Sequence, residues 1–369
     1  MKLPLSIKIT CWLLTAVLST VILIYAKDFL LPMLIAALLS LLLYPVYRRL
    51  VKWKVPEVLS VVITMLIVLS IIFFSFLFVS KQITSVLTDL GGLSGRINEK
   101  LNRLQVYMAD HWQIGDATFT SWISNAKVKL MSYSGDLLSG TIATTTNIFS
   151  TMVLIGVYVF CFLLYNNDFK DFAFALMEAE KQDEASHMIT NIQKLVQHYL
   201  LGMLTVIFII GSLNTIGLLI VGADHALFFA FFAATLTIIP YIGIFMGALL
   251  PILYTLVTHD SVLPAVGVAS VFFGVQFLES NFITPRIVGR RVSINPFIAI
   301  VVLLIGGQIW GTAGMILGIP LTAIMKLLLD SRPKTKAFGY FIGSEFTDKK
   351  INPFKIFGPR KTTLKKKDE

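Results

Sequence analysis

Charge is scarce in this sequence. Asp, Glu, Lys and Arg make up 14% of its 369 residues, while 56% are hydrophobic. Ordinary soluble domains carry about 25% charged and 45–50% apolar residues. The shortage is concentrated in blocks. No charge occurs from Ala226 to Thr258, and Glu279 is the only acidic residue between Asp260 and Asp330. Blocks of this kind exclude one large soluble core. They indicate an all-α, polytopic membrane protein, because about 20 apolar residues in helical form cross a bilayer.

Cysteine is also rare. Cys11 and Cys161 both lie in apolar runs with no metal-ligand spacing, which excludes a zinc site of the usual pattern and a disulfide framework. The histidines, His111, His187, His198, His225 and His259, are scattered. No phosphate-binding glycine loop and no serine nucleophile elbow is present. An enzyme is therefore not expected, and neither is a cofactor. Most of the net charge of +10 sits from Arg332 onward. A basic tail following an apolar span is expected beside anionic lipid in the cytoplasm rather than on nucleic acid.

The apolar blocks predict about six to eight membrane segments. Residues 1–80 hold three spans, near 9–26, 29–47 and 58–80. The run after Lys8 is too long for a signal-peptide core and is expected to be retained. Arg48, Arg49, Lys52 and Lys54 keep the second loop and the N-terminus cytoplasmic by the positive-inside rule. Residues 81–145 form an extramembrane insert. Its stripes Ile97, Leu101, Leu104, Met108 and Phe119, Trp122, Ile123, Ala126, Leu130 fit amphipathic helices packed on each other or on another subunit. Residues 146–330 form the second membrane region. It begins with a span near 148–165 and a cytoplasmic amphipathic helix at 166–198, and a further span follows near 199–221. Residues 331–369 are a basic cytoplasmic tail.

Two solutions remain for the rest. In one, three full crossings separate His225 from Asp330. In the other, only 262–278 crosses, and the runs 226–258 and 297–329 are re-entrant hairpins broken by glycine and proline. The second keeps Arg286, Arg290 and Arg291 cytoplasmic and is preferred. Proline removes a backbone donor, and lipid has no water to replace the lost bond. Broken helices at membrane depth are accordingly found where they line a binding site, with free N–H and C=O groups at helix ends. A kink that merely lets helices pack closely would need no solute. The segments GALLPILYT (247–255) and GMILGIPLT (314–322) share Gly, Leu, Ile and Thr at matching places, a weak sign that the hairpins are related.

Candidate groups for a solute or ion are Glu279 with Gln276 and Asn281 beside it, Asn214 within the fifth span, and Gln308 in the second broken run. A carboxylate in a membrane segment is costly, and such residues usually pair with a cation or serve transport. A structural ion pair of Glu279 with Arg286 or Arg290 is the competing reading. Glycines 306 and 307 are expected to form the tip of the second hairpin.

The stretch IIPYIGIFMGALLP and the later VQFLESNFITPRIVGRRVSINPFIAIVVLLIGGQIWGTAGMILGIPLTAIMKLL carry a family pattern. Its elements are Pro240, Tyr241, Gly243, Gly247 and Pro251; Glu279, Asn281, Pro285 and Gly289; then Pro296, Gly306, Gly307, Gly311, Gly314 and Pro320. In these residues the chain resembles the autoinducer-2 exporter family of bacterial membrane proteins. Asn295 stands where such sequences more often have His. The resemblance implies a multi-pass transporter of the cell membrane, assembled as a homo-oligomer, whose partners are the lipid bilayer and a small polar solute or a monovalent cation or proton. Some members of the family resemble exporters of autoinducer-2 and others sodium/proton antiporters. A membrane scaffold without transport is the reading outside that class.

Overall fold

Within lipid, a segment must satisfy its own backbone N–H and C=O groups, so each apolar run becomes a helix. The computed structural model describes residues 4–92, 150–175, 182–239, 242–287, 294–331 and 335–344. Their helices are α1 (Leu5–Tyr25), α2 (Lys27–Lys52), α3 (Glu57–Gly92), α4 (Ser150–Leu164), α5 (Asn166–Ala175), α6 (Gln182–Val221), α7 (Ala226–Leu236), α8 (Ile242–Thr258), α9 (Leu263–Leu278), α10 (Thr284–Ile287), α11 (Pro296–Asp330) and α12 (Lys336–Ile342). Among the described residues the β-structure is one isolated bridge, Ile294 to Gly343. The chain is thus the expected all-α, polytopic membrane protein. By length and composition six helices could cross a bilayer, α11 among them although it is interrupted at Trp310–Gly311, and α4 with α5, bent by 66°, makes a seventh if the pair counts as one span.

Two helices outrun their expected spans. α3 continues past Ser80 to Gly92, because Lys81 ends the apolar stretch without ending the hydrogen-bond ladder. α6 fuses the later part of the amphipathic segment, from Gln182, with the fifth span into one helix of 40 residues, while Asn166–Ala175 is the separate helix α5. At 1.5 Å per residue it is about 60 Å long, roughly twice the hydrocarbon thickness. The insert stripes, the basic tail beyond Ser344, Pro240, Tyr241 and Gly289 lie outside the described residues.

α6 is the spine. Its Val196 packs with Leu38 of α2 and Leu317 of α11. Val206 and Ile210 pack with Ala234 of α7 and Val275 of α9. Leu218 joins Phe228, Phe229, Tyr254, Val268 and Phe272. The outer surface is apolar instead: Trp12, Leu13, Phe73, Phe74 and Ile220 are all exposed, as fits side chains facing lipid or a second subunit.

Both broken runs fold back on themselves. In the first, the chain leaves the helix at Thr237 and resumes at Ile242. A Cβ on Gly243 would collide with the Leu236 carbonyl, and one on Gly247 would lie 2.9 Å from Ala233 Cα. So α7 and α8 are antiparallel arms in close contact. In the second, Trp310 (φ −129°, ψ 15°) and Gly311 (φ 62°, ψ −143°) interrupt α11. A Cβ on Gly306 would strike the Gly314 carbonyl, and one on Gly318 would lie 2.7 Å from Val302 Cγ1. In a straight helix residues 302 and 318 would be about 24 Å apart. The turn is at Trp310–Gly311 and not at Gly306–Gly307 as expected. Positive φ is needed at the reversal, and Gly311 supplies it. Gly306 stays helical and uses its lack of a side chain for contact with Gly314.

The second hairpin has a fixed base and tip. Asn295, 1% exposed, caps α11 by accepting from the Ile298 N–H at 2.9 Å. It also donates from Nδ2 to the Phe341 carbonyl at 2.6 Å, and its N–H donates to Ile342. At the other foot, Asp330 pairs with Lys326 at 2.7 Å and lies against Gly339 of α12. The tip is held by Trp310, whose Nε1 donates to the Leu23 carbonyl at 2.9 Å, two residues before the end of α1. The 18 residue steps from Leu5 to Leu23 correspond to about 27 Å. The first arm of the hairpin, 14 residue steps from Pro296 to Trp310, is about 21 Å long, more than half of a hydrocarbon core about 30 Å thick, and the second arm returns along it.

Candidate functional site

Glu279 stands where α9 widens. Residues Glu279–Ile283 form a π-helical turn in which the Thr284 N–H donates to the Glu279 carbonyl. The local sequence accounts for this. Pro285 has no N–H to offer residue 281 and its ring would meet that carbonyl in a regular α-helix. Single π turns of this sort recur at functional sites.

The register of the helices gives the depth of this carboxylate. A Cβ on Gly217 would meet Val271, and one on Gly267 would meet Val221 at 2.8 Å. α6 and α9 are thus antiparallel with residues 217 and 271 level, which puts Glu279 level with residue 209. That is about 18 Å in from the Val221 end of α6, within a hydrocarbon core about 30 Å thick. Glu279 is half-buried. Its Oε1 accepts from the Thr284 hydroxyl at 3.5 Å, a marginal distance, and its Oε2 is buried with no hydrogen-bond partner. Among the described residues no cation pairs with it. Arg286 is exposed, and Arg290 lies outside them. Unsatisfied buried polar atoms are rare and call for an explanation.

The other candidates divide. Gln276, one turn before Glu279, donates from Nε2 to the Ser280 hydroxyl at 3.2 Å. Asn281 is exposed and bonds its own helix, donating to the Phe277 carbonyl at 2.8 Å. Asn214 lies on the buried stripe of α6, 3% exposed, and its Oδ1 also has no partner. The same register puts it level with Gly274, roughly 7 Å along the axis from Glu279. Two unpartnered buried oxygens therefore share the α6–α9 body, which also packs on the first hairpin. Gln308 is exposed on the second hairpin, whose neighbours are α1, α2, α6 and α12. The two hairpins are joined through α6, with Glu279 on the side of the first. Pro251 and Pro320 are fully buried in α8 and α11, and Pro296 opens α11 where no N–H is needed.

One cluster was not legible in the sequence. His225 (φ 51°) precedes α7, and its Nε2 lies 2.8 Å from Asp89 Oδ2 on the extension of α3. Tyr254 of α8 donates to the same oxygen at 3.2 Å, and Gln82 Oε1 is 3.4 Å from His225 Nδ1. The hydrogen bond from His225 holds the Asp89 carboxyl below its usual range. This cluster ties α3, beyond its apolar span, to both arms of the first hairpin. Asp89 and His225 are too far apart in sequence for any local pattern to link them.

No group of three or more His, Cys, Asp or Glu side chains among the described residues is placed to hold a metal ion. A helical spine flanked by two broken hairpins is an arrangement that membrane transporters use to build a solute site. Comparison with known proteins agrees. YueF of Bacillus subtilis, provisionally named a transport protein, is 27% identical over 80% of this chain and 82% of its own length. The AI-2 transport protein TqsA of Escherichia coli is 24% identical over 83% and 87%. YhhT of Escherichia coli, also provisionally named for transport, is 29% identical over 37% of this chain and 39% of its own. The AI-2E family transporter description matches residues 13–334, so the chain belongs to the AI-2E family of transporters.

Proposed function

We propose that this cell-membrane transporter exports a small polar solute of the autoinducer-2 kind, using Glu279 to bind the coupling proton or cation or a polar group of the solute. The observation that carries the proposal is the Glu279 oxygen buried without a partner at membrane depth. A carboxylate there is costly, by about 2.5–3.5 kcal/mol even on insertion scales, and ionisable residues kept at that depth usually serve transport. The unpartnered Asn214 oxygen on the same helical body supports a polar passage beside the first hairpin. The name of TqsA supports the solute class. Gln276 and Asn281, within one turn of Glu279, are the further polar groups of this site, and Gln308 on the second hairpin is a separate polar position. The two termini are cytoplasmic in this reading, from the basic cluster at the C-terminal end of α2, and the exposed apolar face of α1 meets a second copy in a homo-oligomer. Sodium/proton antiport is the second reading, favoured by the same lone carboxylate, which exchanges a proton for a cation without any further solute.

Proteoliposomes holding the full chain test this. Wild-type protein is expected to move autoinducer-2 in a saturable way that responds to an imposed pH or sodium gradient. Glu279→Gln is expected to assemble normally and lose the response to the gradient. Sodium-dependent pH change without movement of autoinducer-2 would select antiport. No flux above empty vesicles would leave a scaffold. Full gradient-dependent flux in Glu279→Gln would reject the role of the carboxylate.

A further inference from the structure

The cytoplasmic foot of α2 and the first half of α6 form an open pocket that the transport reading does not use. Its volume is about 330 Å³. Arg48, Arg49 and Lys52 of α2 and Lys194 of α6 line it, with Tyr44 and Gln197 among the remaining walls, and no acidic residue lines it. The wall is fixed: Gln197 Nε2 donates to the Leu41 carbonyl at 2.9 Å, which locks α6 against α2. Lys170 of α5 adds a further cation nearby, 3.3 Å from the Tyr44 hydroxyl and 5.0 Å above its ring.

Four like charges around one cavity repel each other. They are usually relieved by carboxylates, and these are within chain reach: Glu57 at the start of α3, Asp168 and Asp171 on α5, Asp183 and Glu184 at the start of α6. Yet among the described residues none of the four cationic side chains has an ion pair or a hydrogen bond. The pocket therefore presents a concentrated, unneutralised positive field. Its level matters as well. The apolar part of α2 ends at Tyr47, and Trp53 just beyond is 75% exposed. Aromatic side chains of this kind mark the headgroup zone, and basic pockets between helices on the cytoplasmic side suit lipid phosphates. Tyr44 and Pro45 give the cavity an apolar floor, and Val46 beside them is exposed on α2, where acyl chains would run.

We propose that this pocket binds the phosphate headgroup of an anionic phospholipid from the cytoplasmic leaflet and thereby clamps α2 to α6. The shared chemistry is a phosphate anion; the position at the headgroup level selects the lipid over a water-soluble phosphate.

The test uses the full chain in detergent with phosphatidylglycerol or phosphatidylcholine of the same chain length, read by native mass spectrometry. Wild-type protein is expected to retain phosphatidylglycerol preferentially. Arg48→Gln with Lys194→Gln is expected to lower that retention about 30-fold, from roughly fivefold per surface cation. Lys8→Gln with Lys336→Gln, equal in charge but away from the pocket, is expected to leave it unchanged. If the first pair disturbs folding, Lys52→Gln alone, on an exposed side chain, should still lower retention about fivefold. Equal retention of the two lipids overturns the proposal, and so does an equal loss in both double variants. Displacement of phosphatidylglycerol by millimolar inorganic phosphate overturns it in favour of a soluble anion.

Discussion

The reversal at Trp310–Gly311 is open to a direct test by cross-linking. Val302 and Gly318 are 16 residues apart. A continuous helix would separate them by about 24 Å, and a disulfide requires Cα atoms within about 7 Å. In the hairpin a Cβ at position 318 would lie 2.7 Å from Val302 Cγ1. Val302→Cys removes the crowding methyl groups, so Val302→Cys with Gly318→Cys has room for a bond. With Cys11 and Cys161 replaced by serine, mild oxidation in native membranes is expected to join the pair within one chain. The same background then weighs the glycines. Gly306→Val drives its Cβ into the Gly314 carbonyl, which is backbone and yields only if the arms part. Overpacking costs about 1–3 kcal/mol, and more against backbone. Gly307→Val meets the Met315 Cε at 2.6 Å, the far end of a flexible side chain, and should cost less. Cross-linking is therefore expected to fall sharply in Gly306→Val and little in Gly307→Val. Failure of the parent pair to cross-link, or equal effects of the two valines, would refute the hairpin packing.

Three further outcomes follow from the geometry. Cysteine placed at the exposed Ser331, at the hairpin base, should react with an impermeant thiol reagent only in opened cells, and cysteine at the exposed Ser261, before α9, in intact ones; the reverse would invert the proposed orientation. Asn295→Ala removes a cap worth about 0.5–2 kcal/mol together with the bond to Phe341, and a lower unfolding temperature in detergent is expected, whereas Asn281→Ala on an exposed face should leave it unchanged. Asp89 has its carboxyl held below the ordinary 3.8, so its tether to His225 is present above the unfolded value and is lost as pH falls through the depressed folded one. Cross-linking between α3 and the first hairpin should accordingly persist at pH 5 and weaken only in stronger acid, and Asp89→Asn should remove this dependence.

Much of this architecture is written in composition. Uncharged runs must become helices in lipid, which fixes the class and bounds the number of segments without knowledge of their packing. The interruptions at Pro240 and Gly243, and at Gly306 through Gly314, announce that two runs are not simple rods. Glu279 draws attention to itself as a lone acid in a long stretch of apolar chain. Other features are decided by contact. Whether a glycine turns the chain or admits a neighbour depends on what stands opposite it, so Gly311 and not Gly306 makes the turn, and Gly306 admits Gly314. The depth of Glu279 depends on the register of α9 against α6, set by Gly217 against Val271 and Gly267 against Val221. Its lack of a counter-ion among the described residues could not be foreseen, since Arg286 is close in sequence. Asn295 reads as a missing imidazole and becomes a cap and a clamp once Phe341 lies beside it. The meeting of Asp89, His225 and Tyr254 has no local signal at all. Helix formation is a local response to the solvent and is encoded along the chain, whereas the pairing of side chains on different helices is fixed only when those helices pack.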